Sequence, residues 1–243
     1  MKKRISLILL SVIVIFFSCR DDSRQFEEQL FTNMQITNAL RECMTLSIDS
    51  TRCTLCVVDT ISEEYGYYWY DLQTYRIELP ASAQQIIDTL TEHGFEIENT
   101  IDSLVKNINR AAEQCEKMVQ SYWEPIIKNI SFPNPNQTLH GGNNAITNEV
   151  KLQYQTDFIN TFKTYTLNEQ FNALGVTASW NNLQEEYYKI TGTYIPIDIL
   201  DSSVQEMVGG FFKLMALWEE KVRTDPELRG KKDGWLYLVF DTL

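Results

Sequence analysis

The sequence has little of what most catalytic sites require. Its only histidines are His93 and His140, and neither belongs to a metal-binding spacing such as HExxH. It also has no GxSxG motif, the turn that presents a nucleophilic serine. We therefore expect neither a zinc site nor a Ser-His-Asp triad, and we expect no cofactor. Six prolines and ten glycines are too few for a β-sandwich with many turns.

Positive charge is also scarce. The formal net charge is −12, and without residues 1–18 the remaining 18 basic and 33 acidic residues give −15. A protein that binds nucleic acid needs a basic face to neutralise phosphates, so nucleic acid is not an expected partner. Acidic charge also disfavours adhesion to anionic lipid headgroups, so attachment to a membrane should come from a lipid anchor alone.

The N-terminal residues have the pattern of a secretory signal peptide. A basic segment, residues 2–4, precedes a 13-residue apolar run at 5–17. As a helix this run would rise about 20 Å, which is less than the roughly 30 Å hydrocarbon core of a membrane. Ser18 and Cys19 follow, and their junction resembles the lipobox of bacterial lipoproteins. The resemblance implies that residues 1–18 are removed and that Cys19 is lipidated. An uncleaved anchor and ordinary secretion are the alternatives.

Residues 19–25 are expected to form a polar tether. Arg20-Asp21-Asp22 resembles the surface-export signal of some bacterial lipoproteins. The alternative is that these residues only hold the folded domain away from the bilayer. The leader therefore predicts an outer-membrane lipoprotein of the cell envelope, and it leaves exposure at the cell surface open.

Beyond the tether the pattern is mainly helical, because apolar residues recur at intervals of three and four. The predicted helices cover residues 26–46, 81–92, 101–122, 144–172, 178–190 and 198–223. Pro125 is expected to kink or end the third of these helices. Residues 53–79 are rich in β-branched and aromatic side chains and predict a short hairpin or an irregular segment. The fold class is therefore all-α, a multi-helix bundle in one domain over 26–243.

Several short motifs resemble those of one bacterial envelope family. Residues 109–113 read NRAAE, which is similar to the core motif of the family called domain of unknown function 4197. The other matching pieces follow in the family's order: RIELP at 76–80, LHGG at 139–142, AIT at 145–147, GFF at 210–212, EE at 219–220 followed by Arg223, Asp225, Pro226 and Arg229, and VF at 239–240. The resemblance covers about residues 35–240. It implies a helical, exported or lipid-anchored protein, and it implies no known reaction.

These motifs contain the best candidate for a polar site. Its members are Asn109, Arg110, Glu113, Glu219, Glu220, Arg223, Asp225 and Arg229. Charged residues spaced like Glu219 and Arg223 most often form solvated pairs on a helix surface. The functional alternatives are that Arg223 and Arg229 clamp an anionic ligand, or that the glutamates do acid–base chemistry. Glu219 and Glu220 point about 100° apart on one helix and make a poor catalytic pair by themselves.

The cysteines offer a second candidate. Cys53 and Cys56 form a CxxC spacing, but no strand–helix–strand pattern surrounds them, as a redox motif would need. A structural disulfide and plain free thiols remain open for this pair, because an exported compartment permits disulfides. Cys43 and Cys115 lie on apolar helical stripes and are expected to be small core residues.

A run of aromatic residues is the third candidate. Its members are Tyr65, Tyr67, Tyr68, Trp69 and Tyr70. Aromatic side chains on a loop can stack on glycans or on partner proteins. The alternative is that they pack against their own bundle.

Together these patterns predict a lipid-anchored, non-enzymatic protein of the cell envelope. It would bind an unknown envelope protein or a small ligand, or it would have a structural part. The alternative is an envelope enzyme, a hydrolase that uses the Glu219/Arg223 region. A water-filled pocket with converging carboxylates would favour the enzyme, whereas a dry, packed helix interface would favour the non-enzymatic protein.

Overall fold

The structure, a computed structural model, describes residues 31–55 and 75–243. These residues form ten α-helices and no strand, so the all-α prediction is confirmed. In chain order the helices are α1 (Asn33–Leu55), α2 (Gln84–Glu92), α3 (Glu98–Glu113), α4 (Glu116–Asn129), α5 (Pro135–Leu139), α6 (Ala145–Phe162), α7 (Asn168–Ala173), α8 (Val176–Thr191), α9 (Ile199–Thr224) and α10 (Trp235–Phe240). None of the described helices is both long enough and apolar enough to cross a membrane.

Helices α1 and α9 form the centre of the bundle. They pack against each other, α10 packs on α1, and α6 packs on α9. Helices α2 and α3 both pack on α8, which in turn contacts α7. Thr32–Leu243 forms one compact unit.

The last long helix begins and ends close to its predicted limits. The sequence predicted 198–223, and α9 spans Ile199–Thr224. Asp198 caps its N-terminus, because its carboxylate accepts a hydrogen bond from the backbone N–H of Asp201 at 2.9 Å. Lys163 lies near the carboxylates of both residues, with Nζ 3.1 Å from Asp198 Oδ2 and 2.7 Å from Asp201 Oδ1. It occupies a π-helical turn, Lys163–Leu167, that joins α6 to α7.

The helix predicted over 101–122 is divided in the structure. Helix α3 ends at Glu113 and α4 begins at Glu116. Between them the Cys115 N–H bonds the Ala112 carbonyl, three residues back, so the helix tightens into a 3-10 turn that no glycine or proline marks. We expected Pro125 either to kink or to end the helix. It does not end the helix, because α4 continues through Pro125 to Asn129.

The predicted irregular segment at 53–79 begins inside a helix. Helix α1 continues to Leu55, beyond the predicted limit at residue 46, so Cys53 is helical. Residues 76–80 are in neither a helix nor a strand. The remainder of the segment, 56–74, lies outside the described residues, as do residues 1–30.

The core contains a cluster of large aromatic side chains contributed by α4, α6 and α9. Trp123 is 1 % exposed and stacks parallel to Phe211, with ring centroids 5.8 Å apart. Phe158 packs against both rings at 5.0 and 5.2 Å. Such pairs contribute beyond the area they bury, and they join three helices that are distant in sequence.

Replacing Trp123 by alanine should destabilise the bundle strongly. The substitution removes a buried ring and leaves a cavity between three helices, so we expect a loss of about 3–5 kcal/mol in the free energy of unfolding. Trp235→Ala is the matched control, because this ring is 38 % exposed. Urea denaturation followed by circular dichroism measures both, and equal losses would show that Trp123 is not central to the packing.

Candidate functional site

The charged residues near the end of α9 are mostly buried. Glu219 is 1 % exposed, and Arg223 and Arg229 are each 7 % exposed. Burying a charge is costly unless hydrogen bonds and an opposite charge compensate for the lost water. The interpretation of Glu219 and Arg223 as a solvated pair is therefore wrong, although their predicted spacing does bring them together.

Glu219 accepts four hydrogen bonds. The backbone N–H groups of Ile146 and Thr147 donate to its two oxygens at 2.9 and 2.7 Å. The Thr147 hydroxyl donates at 2.7 Å, and Arg223 Nε donates at 2.9 Å. Ile146 and Thr147 belong to the first turn of α6, where backbone N–H groups have no partner within the helix. Glu219 therefore caps α6 from a different helix, and its negative charge lies at the positive end of the α6 dipole.

No local residue performs this capping. Asn144 occupies the N-cap position of α6, but its side chain makes no capping hydrogen bond. Burial raises the pKa of Glu219, while Arg223, the Thr147 hydroxyl and the two backbone N–H groups act in the opposite direction. Because both carboxylate oxygens are occupied and the side chain is closed to solvent, Glu219 has no free face for a substrate.

Arg223 performs the complementary role at the end of α5. Its Nη1 donates to the Leu139 carbonyl at 2.7 Å, and its Nη2 donates to the Thr138 carbonyl at 3.1 Å. These carbonyls belong to the last turn of α5, whose negative dipole end favours a cation. The guanidinium also lies 5.3 Å from the centre of the Phe240 ring. The Glu219–Arg223 pair thus joins the end of α5 to the start of α6.

Arg229 binds the C-terminus of α9 itself. Its Nε donates to the Val222 carbonyl at 2.9 Å, and its Nη2 donates to the Arg223 carbonyl at 2.6 Å. Asp225 starts the 3-10 turn Pro226–Arg229, because its carboxylate accepts from the Glu227 N–H at 2.9 Å. This turn brings Arg229 back onto α9. Neither arginine is therefore available as a clamp for an external anion.

Glu220 differs from its neighbour. It is exposed, and among the described residues its carboxylate accepts one hydrogen bond, from Asn143 Nδ2 at 3.0 Å. This agrees with the expectation that the two adjacent glutamates point in different directions.

The predicted polar residues on α3 form a separate group. Asn109 is fully buried. Its side-chain amide accepts a hydrogen bond from the Ile77 N–H at 2.9 Å and donates one to the Ile77 carbonyl at 2.8 Å. Asn109 thereby holds the irregular segment 76–80 at Ile77, before α2. Arg110 and Glu113 form an ion pair on the same helix.

The sequence reasoning missed two further capping residues, both on α1. Arg41 Nη2 donates to the Ile130 carbonyl at the end of α4 at 2.7 Å. Glu42 accepts from the Leu236 N–H, in the first turn of α10, at 3.2 Å. The only signal in the sequence is a pair of adjacent opposite charges within a helix whose other face is apolar, and this does not reveal their partners.

The cysteines that the structure describes are separate thiols. Cys43 and Cys115 are buried, which confirms them as core residues. Burial raises the pKa of Cys43 above its usual range, with the Glu219 charge acting in the same direction, and it raises the pKa of Cys115 to about 12. Both therefore stay protonated.

Three of the predicted site groups lie wholly or partly outside the described residues. Cys53 is exposed, but Cys56 is not described, so a disulfide between them stays a prediction. The lipidation site Cys19 and the aromatic residues Tyr65, Tyr67, Tyr68, Trp69 and Tyr70 also lie outside the described residues. Within residues 31–55 and 75–243, no group of three or more His, Cys, Asp or Glu side chains could hold a metal ion.

Comparison with known proteins identifies the family. The family model described as "Protein of unknown function (DUF4197)" matches residues 30–240, so the chain belongs to this family. No curated protein and no solved structure matches the chain. The predicted family is thus confirmed.

The role of Glu219 as a buried cap predicts a large effect of a small substitution. Glu219→Gln keeps the shape but leaves Arg223 buried without its counter-charge, and it turns an amide NH2 toward backbone donors. We expect a loss of about 3–5 kcal/mol in the free energy of unfolding, measured by urea denaturation. Glu220→Gln, its exposed neighbour, should change this value by less than about 0.5 kcal/mol. Similar losses in the two variants would contradict the capping role.

The turn between α5 and α6 provides a second test. A Cβ at Gly141 would lie 2.7 Å from the Ala145 Cβ and 3.2 Å from the Gln137 carbonyl oxygen, whereas a Cβ at Gly142 would have only an ordinary contact at 3.7 Å. Gly141→Ala should therefore lower the melting temperature, with a loss of about 1–3 kcal/mol from overpacking. Gly142→Ala should leave it nearly unchanged. A tolerated alanine at position 141 would show that this turn is not closely packed.

Proposed function

We propose that this chain is a lipid-anchored helical protein of the bacterial cell envelope with a non-catalytic binding or structural role. The non-catalytic role is supported by what the buried charged side chains bind. Glu219, Arg223 and Arg229 are buried and bind helix ends, so their donors and acceptors are already occupied. The leader at residues 1–18 and the Ser18–Cys19 junction support the anchor.

The location in the envelope rests on the same leader. A lipid on Cys19 places the folded domain beside the outer membrane, with residues 19–25 as the tether. Arg20-Asp21-Asp22 supports display at the cell surface, and protease treatment of intact cells tests this directly. Digestion in intact cells supports surface display, and full protection contradicts it.

The enzymatic alternative uses the Glu219/Arg223 region as a hydrolase site. A general acid or base must come within hydrogen-bond reach of a substrate, directly or through one water. Glu219 is 1 % exposed and already accepts four hydrogen bonds. The geometry therefore favours the non-catalytic role over the hydrolase.

Mass spectrometry of the protein extracted from its own membranes tests the proposal. We expect a covalent mass that lacks residues 1–18 and carries acyl chains on Cys19, and native spectra that report any bound partner. Cys19→Ala should abolish acylation and release the protein from the membrane fraction. Cys53→Ala, which changes an exposed cysteine side chain, is the matched control and should keep the anchor. A mass that still includes residues 1–18 would contradict the anchor.

A further inference from the structure

The surface between α2 and α3 contains a groove that the proposed function does not yet explain. The groove has a volume of about 780 Å³ and lies around the turn that connects the two helices. It falls in the size range of ligand and peptide sites. Because α2 and α3 both pack on α8 and make few contacts with each other, the space between them stays open.

The groove combines apolar side chains with acidic ones. Ile87 of α2 and Ile101 of α3 are half-buried, and Phe95 in the connecting turn is 37 % exposed. These three side chains give the groove an apolar part that is open to a partner.

The acidic side chains of the groove are not neutralised within the described part of the chain. Glu96, Glu98 and Asp102 line the groove and are exposed. None of the three forms an ion pair or a side-chain hydrogen bond with another described residue. The described lining contains no lysine or arginine. A partner that brings positive charge would therefore gain electrostatic complementarity.

We infer that the α2–α3 groove is a docking site for a basic amphipathic helix of a partner protein. Two helices that leave a partly apolar cleft between them can receive a third helix, whose apolar face enters the cleft. Lysines or arginines beside that apolar face then approach Glu96, Glu98 and Asp102. The inference goes beyond the proposed function and does not depend on the lipid anchor.

The experiment uses a designed probe. A fluorescein-labelled peptide of about 18 residues, about five helical turns, carries leucines on one face and lysines on the other. Its binding to the protein as purified from its membranes in a nonionic detergent is followed by fluorescence anisotropy at near-physiological salt, which screens exposed charges at long range. A peptide with glutamate in place of lysine is the control probe. We expect the Leu/Lys peptide to bind and the Leu/Glu peptide not to bind.

Matched variants separate the groove from the overall acidity of the protein. The triple variant Glu96→Gln, Glu98→Gln, Asp102→Asn removes the three acidic charges of the groove. The control triple variant Glu169→Gln, Glu206→Gln, Glu227→Gln removes three exposed acidic charges from other helices and turns. The two triple variants have the same net charge and are measured in the same detergent. We expect the groove variant to weaken binding about tenfold and the control variant to have little effect.

The apolar part of the groove has its own pair of variants. Phe95→Ser should weaken binding of the Leu/Lys peptide about tenfold, while Leu152→Ser, at a side chain that is 83 % exposed on α6, should not. Equal weakening by the two triple variants, no effect of Phe95→Ser, or equal binding of the Leu/Glu peptide would each overturn the inference. If mass spectrometry showed no lipid on Cys19, the peptide-binding result would be unchanged. The groove and the lipid anchor are therefore tested independently.

Discussion

The Glu219 carboxylate, buried between α9 and the first turn of α6, is the contact on which this end of the bundle depends. The ends of packed helices leave backbone N–H and carbonyl groups without partners, and leaving such groups buried is costly. The chain meets this constraint with side chains from other helices. Glu219 binds the start of α6, Arg223 binds the end of α5, and their mutual ion pair joins both to α9.

This arrangement explains why buried charges are present in an otherwise apolar core. A buried ion pair seldom adds much net stability, but removing one member leaves the other uncompensated. Each charge here also satisfies backbone groups at a helix end, so an apolar replacement would lose those hydrogen bonds as well. Arg41, which is half-buried, and Glu42, which is exposed, also bind helix ends, those of α4 and α10. Glu219 and Arg223 therefore hold the end of α5 and the start of α6 against α9, and this supports a non-catalytic role for the Glu219 region.

The sequence predicted the fold class well and the site only in part. The limits of α9 followed from its apolar periodicity, a signal that lies within the helix itself; the cap that Asp198 provides was seen only in the structure. The burial of Glu219 also had a signal, since it continues the stripe of Val208, Met215 and Val222 at helical spacing. Its partners had none, because Ile146 and Thr147 lie more than 70 residues away in the chain. The 3-10 turn at Cys115 was missed because no breaker residue marks it.

Amide hydrogen exchange at Ile146 and Thr147 tests the capping role of Glu219 most directly. In the unmodified chain and in Glu220→Gln, both amides should exchange as slowly as those in the middle of α6. In Glu219→Gln, their protection should fall by more than the global loss of stability that the mid-helix amides report. Protection that falls only in step with the mid-helix amides would show that Glu219 does not hold the start of α6, and it would contradict the account.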